Sequence, residues 1–294
     1  MSIQCQTQGH NFPPDATYST VTSALADRNE TVYVGKSSDG REMLFVSPFS
    51  TKQSMPLLSA PTSESLAVVA LTPKLVIWSE GNASDAKNNW SLYAMPLVNG
   101  KVQPGAELIP LAGRGNYLQG DTSAISVVNS LWANGQSVAL VLTTQDGRTL
   151  LVRADLSDGG IAFTDTTIAR AESGHTFIDP FIDSDAVFWV DTTIAANGQP
   201  QHTIWRQSNQ QNATSQMISP AGSDAFGPVA NGQNVTWVQT SANVASMNGV
   251  GGSATATVNI IASNGSGTPQ IVSSAPIPKA SIMRGDGYIF WIDH

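Results

Sequence analysis

The chain has 294 residues, of which only 12% are charged, and its 22 acidic residues against 14 basic ones give a formal net charge of -8. Phosphate neutralisation requires a basic stripe, so a nucleic-acid partner is not expected, and no run of about eighteen apolar residues predicts a membrane span. The one cysteine, Cys5, excludes an intramolecular disulfide.

A surface built from uncharged polar residues is common in secreted and periplasmic β-proteins, so a periplasmic or extracellular location is expected and a cytoplasmic one stays open. The first residues, Met1 to Gln6, have neither a basic region nor an apolar region, so they do not read as a signal peptide. A signal is therefore expected to have been removed or to be absent from this sequence.

Short apolar runs separated by Pro, Gly or Asn follow one another along the whole chain. After a strand predicted near residues 2–7, five full units are expected at 17–59, 65–112, 123–168, 175–220 and 224–273. In the second unit the predicted strands are 66–70, 75–80, 90–95 and 107–111. Strands this short, without any sustained helical period, predict an all-β protein.

The units repeat one another around a tryptophan. The sequence Ala-Asn-Gly-Gln occurs at 133–136 and again at 230–233, each time before a short apolar strand. The repeat positions are separated by 44 to 62 residues, which is typical of propeller blades, and they are Val34, Trp78, Leu140, Trp189, Trp237 and Trp291. Pro180 and Pro228 each lie nine residues before their tryptophan. These tryptophans are predicted to be core residues.

Turn chemistry divides the units in the same way. Asp39-Gly40 and Asp146-Gly147 lie at matching positions between the second and third predicted strands. An Asp-Gly pair supplies the positive φ of a tight two-residue hairpin, which is the turn expected at both places. Trp132 is predicted to lie in the link between the first and second strands of the third unit, whereas Trp90 and Trp205 are placed in third strands.

The order Pro, turn, aromatic strand in residues 228–237 resembles the TolB-like propellers, although Ala-Asn-Gly-Gln and Ile-Asp-Ser-Asp replace the Ser-Pro-Asp-Gly turn of that family. The resemblance implies a six-bladed β-propeller of four-stranded antiparallel blades. We expect one domain over residues 1–294, with its last blade formed by 278–294 and closed by the N-terminal strand in 1–8, because an open sheet edge invites aggregation.

In a propeller, the links between blades and the links between second and third strands open on one face. The longest links expected here are of these two kinds: 111–122, 169–176, 80–89, 192–199 and 240–253. That face is therefore expected to carry the function.

Side chains at the mouth of the central channel are the candidate ligand-binding site. They combine cations, carboxylates, a phenol and an imidazole, and they are Arg114, Tyr117, Asp121, Arg170, Glu172, His175 and Asp224. Such a ring binds a polar ligand or performs acid/base chemistry, unless it is merely a solvated rim with local salt links.

Asp179, which precedes Pro180 on a predicted innermost strand, is the candidate base of an enzyme, with Glu172 and His175 beside it. A glycosidase needs a second carboxyl about 5 to 10 Å away, which Glu172 or Asp224 would supply. The other interpretation is that Asp179 links adjacent blades through backbone amides.

No metal or cofactor is expected. The four histidines show no spacing typical of a zinc site, and there is no phosphate-binding loop or Gly-x-Ser-x-Gly motif. Asp183 and Asp185 have the spacing of calcium ligands, although a turn is the commoner use of such residues.

These patterns lead to two functional hypotheses. The preferred one is a monomeric, non-catalytic binding or scaffolding propeller that engages a protein or a glycan through its long loops, such as the adaptable segment 247–253. The alternative is a carbohydrate-active enzyme, either a glycoside hydrolase or a polysaccharide lyase, with its site at the channel mouth.

Overall fold

A computed structural model shows an all-β protein, with every regular element of the described residues in strands. The residues that it describes are 20–26, 29–37, 39–51, 53–61, 64–82, 90–98, 101–102, 109–113, 116–117, 125–157, 163–210, 212–241, 256–273, 283–285 and 288–290. Within those ranges, no helix is long and apolar enough to cross a membrane. The chain forms two compact units, Met1–Leu108 and Ile109–His294.

The first unit contains two antiparallel groups of strands. The first is a four-stranded sheet in chain order, made of β1 (Thr20–Ala26), β2 (Glu30–Lys36), β3 (Glu42–Pro48) and β4 (Met55–Ser59). In the second, β5 (Glu64–Leu71), β6 (Leu75–Asn82) and β7 (Trp90–Val98) pair in order, and β8 (Lys101–Val102) pairs with β7. Meandering antiparallel sheets of this size are the predicted blade units.

The second unit contains three four-stranded antiparallel sheets, each in chain order. Their strands are β11 (Ile125–Asn134), β12 (Ser137–Thr144), β13 (Thr149–Leu156) and β14 (Phe163–Arg170); β15 (His175–Ile182), β16 (Ala186–Ile194), β17 (Pro200–Ser208) and β18 (Gln216–Met217); and β19 (Ser223–Ala230), β20 (Asn234–Ser241), β21 (Ala256–Ala262) and β22 (Gln270–Ser273). Two hairpins accompany them, β9 (Ile109–Gly113) with β10 (Asn116–Tyr117) and β23 (Met283–Gly285) with β24 (Tyr288–Phe290).

The repeated tryptophans occupy the second strands and are core residues, as predicted. Trp78, Trp189 and Trp237 are each at most 2% exposed. Trp189 packs edge-on against Phe177, with ring centroids 6.0 Å apart. In these three repeats the tryptophan is therefore the largest fully buried side chain of its sheet. Trp291 lies outside the described residues.

The prediction for Trp132 is wrong. β11 continues through Trp132, which pairs with Ala139 on β12, and only the two-residue turn 135–136 separates the strands. Gly135 takes the positive φ of 57° that this tight turn requires. Because the turn is only two residues long, β11 continues to Asn134, further than its apolar residues indicate. The Trp132 ring packs on Phe181, with centroids 4.8 Å apart.

Turns between first and second strands are closed by one side chain at a constant repeat position, six residues before the tryptophan. Oδ1 of Asp183 accepts hydrogen bonds from the backbone N–H groups of Asp185 and Ala186, both at 2.8 Å. Thr72 and Asn231 occupy the same position and accept equivalent bonds. Asp183 is therefore a turn residue, and its Oδ2 also accepts from Gly232 of the next sheet at 3.1 Å.

First strands are bulged in the middle. The pairing of β15 with β16 skips from Ile178 to Phe181, and that of β19 with β20 skips from Phe226 to Val229. Asp179 and Gly227, each ten residues before its tryptophan, take φ values of 50° and 59° at these bulges. The proline that follows has no N–H, so the ladder loses no further donor there.

Side chains on third strands tie each sheet to the next one within a unit. Oε2 of Glu42 accepts a hydrogen bond from the N–H of Leu66 at 2.7 Å. Oγ1 of Thr149 accepts from the N–H of Phe177 at 2.9 Å. Each tie satisfies a buried backbone donor of the next first strand that the sheet ladder does not use.

The closure predicted for the array involves residues 1–8, which lie outside the described residues, and the strand carrying Trp291, of which the structure describes only β24 (Tyr288–Phe290). The first-unit and second-unit sheets account for five of the predicted repeats. The number of blades and the way in which the array closes remain predictions.

Candidate functional site

The candidate site lies at one end of the sheets, where first strands begin and second strands end. In the fourth repeat, the connection 171–174 leads into β15 and the connection 195–199 joins β16 to β17. His175 pairs with Thr193, and Thr193 pairs with Gln201, so both connections lie at the same end of this sheet. We call this end of each sheet its rim.

Several residues predicted for the site lie at the rim of the second unit. Arg170 ends β14 and is exposed, Glu172 is exposed in the following turn, and His175 begins β15 half-buried. The backbone N–H of His175 donates to the carbonyl of Glu172 at 3.1 Å, which closes this turn. These three residues are thus brought together by one short connection.

His175 is held by a carboxylate that the sequence analysis did not identify. Its Nδ1 lies 2.8 Å from Oδ2 of Asp191 on the neighbouring strand. The side chain of Asp191 is only 8% exposed, whereas that of His175 is 36% exposed. The buried Asp191 carboxylate therefore holds the imidazole of His175, part of which is exposed to solvent.

Asp224 lies at the start of β19, but its carboxylate is occupied by internal contacts. Oδ1 accepts from the backbone N–H of His202 at 3.0 Å and lies 2.6 Å from Nδ1 of the same residue. Oδ2 accepts from the hydroxyl of Thr240 at 3.2 Å. The His202 ring also packs on Phe226, with centroids 4.2 Å apart. This cluster joins the fourth and fifth sheets, so the geometry gives Asp224 a structural use.

Asp179 lies farther along β15, at the bulge, and is half-buried there. The left-handed conformation is one that Asp tolerates better than most non-glycine residues. Gly227 takes the same conformation in the next repeat. The bulge thus gives Asp179 a backbone role that does not depend on any chemistry of its carboxyl.

A carboxyl pair occupies the rim of the first unit. Glu64 begins β5 and Glu80 lies near the end of β6. Partial burial, a hydrogen bond to the Glu64 carboxyl and the charge of that group together raise the pKa of Glu80 to about 7. Near neutral pH the Glu80 carboxyl is therefore protonated in a substantial fraction of molecules.

The two pairs occupy equivalent repeat positions. Glu64 and His175 each lie fourteen residues before their tryptophan, while Glu80 and Asp191 each follow theirs by two. In both sheets the strand register makes them diagonal neighbours, since Leu66 pairs with Glu80 and Phe177 pairs with Asp191. A polar residue two positions after a buried tryptophan, on the same face of the strand, is the sequence signal that would have identified Glu80 and Asp191.

Other predicted site residues are not placed by the structure. Arg114 and Asp121 lie outside the described residues, and Tyr117 is described only as part of β10. Among the residues that are described, no three His, Cys, Asp or Glu side chains form a group able to hold a metal ion.

No protein-family model matches the chain, and no curated protein matches its sequence. Solved structures do match it. The β-propeller domain of the trilobed protease from Pyrococcus furiosus is similar over 83% of this chain and 69% of its own, with 8% identity and a TM-score of 0.52. An oligogalacturonate lyase in complex with manganese is similar over 84% of this chain, with 14% identity and a TM-score of 0.50.

The chain covers 62% of the length of that lyase. TolB from Acinetobacter baumannii also matches, over 84% of this chain and 53% of its own, with 17% identity and a TM-score of 0.41. Structural similarity at sequence identities this low shows the fold and leaves the activity open. The chain is therefore similar in fold to β-propeller proteins.

Proposed function

We propose that this protein is a binding propeller that engages a protein or a glycan through its rim. The proposal extends the architecture to six blades, with the last one completed by the N-terminal strand. It includes a monomeric state and a periplasmic or extracellular location, where an uncharged polar surface is common.

The observation that carries the proposal is the oriented imidazole of His175. A buried carboxylate fixes its ring, the His175 side chain remains 36% exposed, and the exposed Glu172 lies in the turn that leads into His175. Pre-organised polar groups of this kind bind with a smaller entropic cost than groups on adaptable loops. In the described part of the chain, His175 is the rim side chain whose orientation is fixed by a buried partner and which is also exposed to solvent.

The alternative, a carbohydrate-active enzyme, gains little from the carboxyl pair of the first unit. Glycosidases hold their two carboxyls about 5 to 10 Å apart, so that substrate or water fits between them. Glu64 and Glu80 are hydrogen-bonded to each other, which is a closer approach than that chemistry uses. Glu172 and His175 would be the acid/base groups of such an enzyme near Asp179.

The test is a panel of glycans and polysaccharides, scored for binding and for product release, together with a pull-down on the immobilised protein. We expect binding without turnover, and we expect Glu172→Lys to weaken it at least tenfold. Asp185→Lys is the matched control, because Asp185 is exposed at the opposite end of the same sheet.

Two results would contradict the proposal. Equal losses in the rim variant and the control would show that binding does not use the rim. Turnover that disappears in Asp179→Asn would replace the binding function with the enzymatic one.

A further inference from the structure

The contact between His175 and Asp191 determines which ring nitrogen carries the proton. A carboxylate oxygen only accepts hydrogen bonds, so the 2.8 Å contact places a proton on Nδ1. In the neutral imidazole the other nitrogen, Nε2, then carries a lone pair. Among the described residues, Nε2 has no hydrogen-bond partner within the protein.

The burial of Asp191 suggests why a carboxylate is present at this position. Its second oxygen, Oδ1, is buried and accepts no hydrogen bond from any described residue. A buried carboxylate with one unsatisfied oxygen costs free energy, and an apolar side chain of similar volume would avoid that cost. The side-chain contact of Asp191 with Nδ1 of His175 therefore gives this carboxylate its role, which is to orient the imidazole.

We propose that Nε2 of His175 is a fixed hydrogen-bond acceptor for a hydroxyl group of a neutral glycan, with Asp191 as its positioning residue. This inference rests on the proposed function and names its ligand class. A glycan hydroxyl donates to Nε2, and the Nδ1 proton stays on the bond to Asp191. No proton is transferred and no covalent bond changes.

The neighbouring groups favour a donor-rich, uncharged ligand. Glu172 presents an exposed carboxylate, which only accepts hydrogen bonds. The carboxylates of Glu172 and Asp191 oppose an anionic ligand, while the exposed cation of Arg170 on the same connection opposes a cationic one. Sugar hydroxyls meet these conditions because each donates one hydrogen bond and carries no charge.

The first experiment measures the tautomer and needs no ligand. Two-bond proton–nitrogen correlation spectra of the uniformly labelled protein, recorded at about pH 8.5 where ordinary imidazoles are neutral, distinguish a protonated ring nitrogen from an unprotonated one. We expect the Nδ1–H form for His175 in the wild type and the Nε2–H form in Asp191→Leu.

His202 is the internal control in the same spectra. Its Nδ1 is bound to Asp224, so it should keep the Nδ1–H form in both proteins. A wild-type His175 with the proton on Nε2, or a tautomer unchanged by Asp191→Leu, would overturn the inference.

The second experiment measures affinity for neutral, acidic and amino oligosaccharides. We expect binding to be strongest within the neutral set, and we expect both Asp191→Leu and His175→Ala to weaken it at least tenfold. The His175 side chain is half-exposed, so its truncation tests the contact even if the leucine variant folds poorly.

The outcomes separate this inference from the proposed function. If Glu172→Lys abolishes binding while the two variants at His175 and Asp191 do not, the rim binds its ligand and the acceptor role is refuted. Binding of acidic or amino sugars alone, or of a protein partner alone, also refutes the ligand class while the rim remains the binding surface. If Glu172→Lys has no effect either, both proposals fail.

Discussion

Replacing Glu80 with glutamine should flatten the pH dependence of stability in the first unit. The pKa of Glu80 is raised from 4.5 to about 7 by burial first and by Glu64 second. A raised pKa means that folding favours the protonated form. The associated stability is fully present below about pH 4.5, and it is lost as the pH rises through about 7.

The size of the effect follows from the shift and from the exposure of the pair. At about 1.4 kcal/mol per pH unit, a pKa raised from 4.5 to about 7 sets a ceiling near 3 kcal/mol. Both side chains are only partly buried, so solvent screening reduces this to about 1 kcal/mol.

The assay is urea unfolding followed by tryptophan fluorescence at about pH 5 and about pH 8. Between these values the wild type should lose about 1 kcal/mol more than Glu80→Gln, which resembles the protonated carboxyl in shape and does not titrate. Glu172→Gln, at an exposed position of the second unit, should match the wild type. Parallel pH profiles for wild type and Glu80→Gln would refute the raised pKa of Glu80.

The remaining predictions concern stability and use the same unfolding assay. Thr149→Val leaves the buried N–H of Phe177 without its acceptor and should cost about 1 to 3 kcal/mol, whereas Thr166→Val at an exposed position should change little. Asp179→Val, at φ 50°, should cost about 1 to 2 kcal/mol more than Asp179→Gly, and equal values would contradict the backbone role of the bulge. Gly147→Ala should cost about 1 kcal/mol through its φ of 82° alone, since no atom lies within 4 Å of an added Cβ; a loss above about 3 kcal/mol would contradict this.

Local sequence chemistry predicted the repeat units well because each signal acts within a few residues. Asp39-Gly40 and Asp146-Gly147 lie in turns as predicted, with positive φ at both glycines. The turns are longer than the two-residue hairpin expected, because the N–H of Ser37 donates to Arg41 and that of Thr144 donates to Arg148. The buried tryptophans mark second strands, which are interior strands with a neighbouring strand on each side. Boundaries were less accurate: β6 continues to Asn82, beyond the predicted end at residue 80.

The site was only partly predictable, since its contacts join strands through their register. Glu172 and His175 were identified because they fall in one short connection. The partner of His175 is sixteen residues away, and a bulge at Asp179 shifts the pairing between them. Without knowledge of the pairing between β15 and β16, the sequence identifies Asp191 only as a polar residue at the end of a predicted strand. The same reasoning applies to Glu80, which was predicted to lie where the strand 75–80 meets the link 80–89 and forms a carboxyl pair with Glu64.

The hydrogen bonds that join neighbouring sheets use different side chains, and this difference affects how a repetitive chain assembles. Similar sheets risk docking beside the wrong neighbour during folding, as tandem repeats often do. Here one junction uses the Glu42 carboxylate, another the Thr149 hydroxyl, and a third the imidazole of His202 on Asp224. A sheet placed out of order would meet an acceptor of the wrong length or charge. We therefore expect the different side chains at these junctions to favour one order of the sheets. A chain in which two sheets are exchanged should misassemble although every sheet is retained.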